Sequence, residues 1–217
     1  MRHGFSRGRQ GRVQAEFAVL EAALIRNLVS QVVELVGEGV SPSTYGGSGG
    51  GGDDDPLSDL VDLHGPIQPP DDPVLQRLLP DAYRDDEESA AEFRRFTERS
   101  LRADKSANGR TVIDSLLRGG LADAAGAEDP YGQGAGVDAG DTGGAAVEVE
   151  LDEAEVRAWL RTLTDVRLAL ATRLGVEEGD DGFWDGLPDD DPRTHLHDIY
   201  DWLGYVQETL VQAAAGD

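Results

Sequence analysis

Apolar and polar residues along this chain repeat with two different periods. Arg12 to Phe17 (RVQAEF) and Ala146 to Leu151 (AVEVEL) alternate, which is the spacing of a half-buried strand. The two stretches are far apart in sequence, and Val13, Ala15 and Phe17 parallel Val147, Val149 and Leu151, so they are expected to pair as a two-stranded ribbon. Each is followed by a segment of helical period. In Val19 to Val36 the apolar positions Leu20, Leu24, Leu28, Val32 and Leu35 are joined by Ile25, Val29 and Val36. Apolar groups cover so much of its circumference that it is expected to be the central helix, ended by Gly37 and Gly39.

Three further helices carry start signals. Asp72-Pro73 predicts a short helix through Leu79, stopped by Pro80. Acids at Asp85, Asp86, Glu87 and Glu88 predict the start of a long helix from about Asp85 to Leu101 or beyond. Asn108-Gly109 offers a break in it before Thr111 to Arg118. Asp152 caps a helix from Glu153 to Leu174 closed by Gly175, and Asp191-Pro192 opens a last helix to about Ala214. There Ile199, Leu203, Val206, Leu210 and Ala213 form a narrow seam that suits a bundle or a homodimer. Asp55 to Leu60 (DPLSDL) reads as one helical turn, and Pro66, Pro69 and Pro70 as an extended crossover. The expected fold is mainly α: a single domain over residues 1–217, a bundle of about five helices with a small two-stranded β-ribbon. Two Gly/Asp-rich stretches, 38–55 and 119–145, are nearly free of large apolar residues and are expected to be flexible inserts.

Composition narrows the function. The formal net charge is −24, and arginine outnumbers lysine 18 to 1. Such a surface repels phosphate backbones and anionic membranes, so unaided DNA binding is disfavoured and a basic protein partner is compatible. The acidity also serves solubility. There is no cysteine, which removes disulfides, thiolate catalysis, zinc-thiolate sites and thiol redox switching. No apolar run is long enough to span a membrane, and Gln14, Glu16 and Glu21 interrupt any signal core after the basic N-terminus. The expected location is the cytoplasm.

Candidate chemistry is sparse. Arg95, Arg99 and Arg102 fall at i, i+4 and i+7 on one helix side, with the only lysine, Lys105, beyond them. This stripe can grip an acidic partner segment or a phosphate. It can also be absorbed internally, with Glu98 pairing Arg94 and Arg102 and Glu92 pairing Arg95. Arg167 sits in a helix seam and needs an acid such as Glu34 or Glu208, or else an anionic ligand. His195 and His197 are two apart, the wrong spacing for a helical zinc pair, and Asp180, Asp181 and Asp185 lack calcium-loop spacing. The glycine run Gly46 to Gly52 lacks a GKS/T phosphate motif. Tyr83, Trp159, Trp184 and Trp202 read as core or core-edge aromatics. No nucleophile, base or metal constellation stands out, so an enzyme is not expected and no cofactor is implied. A winged helix-turn-helix would have to use Thr111 to Arg118, with only Arg110 and Arg118 as basic groups.

One set of ordered runs goes further. PDAYRDD, AAEFRRFTE and LRxxKxxN, then Trp159 to Leu170 (WLRTLTDVRLAL) and Trp202 to Leu210 (WLGYVQETL), resemble the DUF2017 family of actinobacterial proteins. The resemblance covers most of the chain outside the two inserts. It marks Asp165 and Arg173 beside Arg167 as a further group to watch, as a buried ion pair or a ligand site. It implies an oxidative-stress transcriptional regulator, a description given to one branch of the family. The expectation is therefore a cytoplasmic, non-enzymatic regulator acting through a protein partner such as a sigma factor or RNA polymerase. The alternative is a helical module that senses a small anion without binding DNA directly.

Overall fold

The computed structural model describes residues 4–8, 11–37, 68–83, 85–121, 146–176 and 191–216. The rest of both Gly/Asp-rich inserts, DPLSDL, Pro66, Asp180, Asp181, Asp185 and Trp184 lie outside them.

Three strands, β1 (Phe5–Arg7), β2 (Val13–Ala18) and β3 (Ala146–Leu151), form an antiparallel sheet in the order β1-β2-β3. The two alternating stretches do pair, with Val13 opposite Leu151, Ala15 opposite Val149 and Phe17 opposite Val147. Their apolar faces thus coincide and are buried together. The expected two-stranded ribbon is corrected to three strands. β1 folds back on β2, pairing Phe5 with Ala15 and Arg7 with Val13. Only Phe5 of its three residues is buried, so a period of two had no length in which to show.

Five helices follow among the described residues: α1 (Val19–Gly37), α2 (Pro73–Leu78), α3 (Glu87–Leu116), α4 (Glu153–Leu174) and α5 (Pro192–Ala215). Their starts are those the caps dictate. Asp72 Oδ1 accepts from the Val74 and Leu75 amides at α2, and Asp152 and Glu155 form a reciprocal capping box at α4. Gly175 closes α4 with φ +68°, a left-handed conformation that favours glycine.

The centre of the bundle is α4, not α1. α4 packs on each of the other four helices and buries ten residues, among them Trp159, Leu163 and Val166. α1 buries five, and its Leu20 is 71 % exposed. An all-round apolar pattern predicts a central helix, but α1 lies against α3 and the sheet with one flank outward. Trp159 anchors the core: its ring stacks on Phe17, meets Phe5 edge-on at 5.2 Å, and its Nε1 donates to Ser115 Oγ at 2.9 Å.

α3 runs unbroken through Asn108-Gly109. Gly109 is fully inside the helix because α1 crosses there, and a Cβ at this position would collide with Val33 Cγ2. Helix propensity suggested a break, and the packing of two backbones won. The helix ends in a π turn, Leu117–Leu121, which occupies the expected start of the second insert. Leu121 is 2 % exposed, and Gly119 lies against the Glu148 carbonyl where no side chain fits. Thr111 to Arg118 is consequently the tail of α3 and the start of this turn, with Val112, Ser115 and Leu116 facing the core.

Candidate functional site

The sequence places every candidate arginine but two on α3, and the structure rotates the pattern by one residue. The side that turns inward carries Arg94, Glu98 and Arg102, each less than a tenth exposed. Consecutive members lie four apart, so they stack along one helix face. Asp81, from the turn after α2, reaches Arg94. Arg94 Nε stands 3.4 Å from Glu98 Oε2, and Arg102 Nη2 lies 2.7 Å from Glu98 Oε1. Arg102 Nη1 then donates to the Val36 carbonyl at 3.1 Å, at the C-terminal end of α1. A guanidinium there satisfies a carbonyl that the helix leaves without an intrahelical partner and meets the negative end of its dipole.

One turn further, Lys105 Nζ donates to Asp165 Oδ1 of α4 at 2.6 Å. Burial raises the Asp165 carboxyl above the usual carboxylate value, opposed by the hydrogen bond and charge of Lys105. The four residues named from sequence thus divide. Arg102 and Lys105 hold α3 to α1 and α4, while Arg99 is exposed and Arg95 half-buried with its guanidinium 5.8 Å from the Phe96 ring.

Arg167 meets neither Glu34 nor Glu208. Its Nη1 donates to Gln207 Oε1 at 2.9 Å and its Nη2 to Tyr200 Oη at 3.3 Å, with the guanidinium 4.8 Å over the Tyr200 ring. It lies across Gly204 of α5, whose missing side chain makes room for the planar group. Arg173 is exposed and lines an apolar groove with Leu28, Val32 and Leu170. Asp165, Arg167 and Arg173 therefore do not form one site. His195 is exposed, and His197 Nδ1 is 3.6 Å from Asp201 Oδ2. The apolar seam of α5 is buried in the chain's own core, the bundle use of the two that its spacing allows.

The reciprocal of the inward ladder is an outward aromatic face, which the sequence reading missed. Phe93 is 44 % and Phe96 53 % exposed on α3, and Tyr83, expected near the core, is 51 % exposed. Tyr83 meets Phe93 edge-on at 6.2 Å. Beside them Leu79, Pro80, Ala82, Ala90, Thr97 and Leu101 line an open groove. The signal was present in FRRF itself: two phenylalanines three apart flank Arg94, which the ladder takes inward.

Comparison with known proteins gives this surface a context. A family model described as a domain of unknown function, DUF2017, matches residues 1–214. The chain is similar to the "Oxidative stress regulator AosR" of Mycobacterium tuberculosis, 30% identical over 210 residues that cover 94% of this chain and 83% of the relative. The protein of the same name from Mycobacterium bovis matches to the same extent. A Mycobacterium leprae relative is 30% identical over 219 residues, 93% of this chain and 82% of that one. No solved structure matches significantly. With residues 1–214 inside the family model, the chain belongs to the DUF2017 family.

Proposed function

We propose that this protein is a cytoplasmic, non-enzymatic regulator of the oxidative-stress response that works by binding a protein of the transcription machinery, such as a sigma factor or polymerase subunit. The observation that carries the reading is the exposed aromatic cluster of Tyr83, Phe93 and Phe96 on an otherwise strongly acidic chain. Large aromatics left in water beside a groove are what protein interfaces bury. The names of the relatives support the regulatory role. No described helix is long and apolar enough to cross a membrane.

Direct DNA binding has less support, because the segment a recognition helix would need is built into the core and the net charge is −24. The anion-sensing alternative loses ground too: Arg102 and Arg167 spend donors on Glu98, Val36, Gln207 and Tyr200. With no cysteine in the chain, an oxidant signal has to reach this protein through its partner or through chemistry other than a thiol.

The test is affinity capture from native cells with the wild type and Phe93→Ala/Phe96→Ala. Enrichment of a transcription protein that the double variant loses, with its fold intact by circular dichroism, is the expected result. Equal capture by both proteins excludes the face.

A further inference from the structure

The aromatic face of α3 carries charges arranged in a way that matches itself. Glu92, Phe96, Arg99 and Ala103 fall at i, i+4, i+7 and i+11, so they share the outward side of the helix. All four are exposed. The acids Glu87, Glu88 and Glu92 precede Phe96, and Arg99 follows it. The neighbours Ser100, Ala103 and Ala107 are also exposed and small, which lets another helix come close.

We infer that this face docks against a second copy of the same chain, α3 on α3, antiparallel about a two-fold axis at Phe96. In that arrangement the two Phe96 rings meet at the axis. Glu92 of each copy falls beside Ser100 of the other, one residue and about 1.5 Å of rise from Arg99. Acid thus meets arginine twice, once on each side of the axis, which is the self-matching that a two-fold contact requires. Arg99 has five N–H donors and can serve a carboxylate of each chain. A parallel pairing would instead set Glu92 against Glu92 and Arg99 against Arg99. The acidic surface opposes association of unlike faces of two copies, whereas a face that carries both signs can meet its own copy.

This inference rests on reading the α3 face as a protein-binding surface and names its occupant. A transcription protein that took the same face would have to displace the second copy, so self-association would hold the regulator back.

The experiment is sedimentation velocity of the full chain up to about 50 µM, where a micromolar dimer is populated. The wild type should sediment as a dimer. Phe96→Glu sets two carboxylates at the axis and should give a monomer with an unchanged circular dichroism spectrum and Tm. Glu92→Arg and Arg99→Glu should each weaken the dimer, on the order of tenfold, and the double exchange Glu92→Arg/Arg99→Glu should restore it. A wild type that stays monomeric, a Phe96→Glu chain as dimeric as wild type, or a double exchange that fails to restore would overturn the proposal. If the wild type is monomeric and Phe93→Ala/Phe96→Ala still loses its captured transcription protein, the face binds a different protein and the second copy is excluded. If neither dimer nor capture depends on the face, both readings fall together.

Discussion

Lys105 of α3 reaches Asp165 of α4 across sixty residues of sequence, with Nζ 2.6 Å from Oδ1 and the carboxylate almost fully buried. Removing one partner of such a pair leaves the other uncompensated. Lys105→Met should destabilise the fold by about 2 kcal/mol, at the low end because Lys105 is partly in water. Lys105→Met/Asp165→Leu should recover most of that loss. Urea unfolding followed by circular dichroism reads both, and additive losses would show that the two groups do not interact.

The same carboxyl sets a pH dependence. Its value is raised above 3.8 on folding, so the folded chain holds that proton more tightly than the unfolded one. Its contribution to stability is then greatest below 3.8 and declines as pH rises through the raised folded value. In Asp165→Asn that decline disappears. The stability of the variant relative to wild type should therefore increase with pH above about 4, measured by denaturant unfolding at a series of pH values. A difference that stays flat would mean that Asp165 titrates in the folded state as it does in the unfolded chain.

The arginines on α3 should separate by energy. Arg102→Met strips Glu98, 2 % exposed, of its closest cation and Val36 of a donor, and should cost about 3 kcal/mol. Arg99→Ala, on the exposed side, should cost less than about 1 kcal/mol. Comparable losses from the two would contradict the inward placement of the ladder.

This division was only half legible in the sequence. Internal pairing of Glu98 with Arg94 and Arg102 was readable from i, i+4 spacing. Which side of α3 faces inward was not, because hydrophobic patterning argues for Phe93 and Phe96 inside and charges outside. Tertiary partners reverse that order: Val36 offers a carbonyl, and Asp81 and Asp165 offer carboxylates, from elements distant in sequence. Caps and strands were legible because Asp72, Asp152 and Asp191 act on amides within three residues, and because β2 and β3 each show three full alternations. The primacy of α4 over α1 was not legible, since both have broad apolar faces and only the topology decides which is surrounded.

Gly109 supplies a test of the α1–α3 crossing. Gly109→Ala gains about 1 kcal/mol of helix propensity but drives a methyl into Val33. Overpacking of this kind costs about 1–3 kcal/mol, so a net loss of about 1 kcal/mol is expected. Gly109→Ala/Val33→Ala should relieve the collision and restore much of the difference. A stabilised single variant would show that the helices can part at no cost.

At the start of α5, Asp191 accepts from the Arg193 backbone amide and from its guanidinium, which together hold its carboxyl down to about 2. A lowered acid stabilises above its unfolded value and loses that effect as pH falls toward the folded one. The first turn of α5 should therefore loosen between pH 3.8 and about 2. Amide chemical shifts of residues 193–196 against pH would show it, and Asp191→Ala should abolish the transition.

Because Lys105 is the single lysine of the chain, the pair that joins α3 to α4 is also its single side-chain amine. An acylating reagent has one internal target, and that target is engaged with a buried carboxylate whenever the two helices are together. The rate at which the amine is modified thus becomes a clock for the opening of this pair, readable by mass without any engineered label.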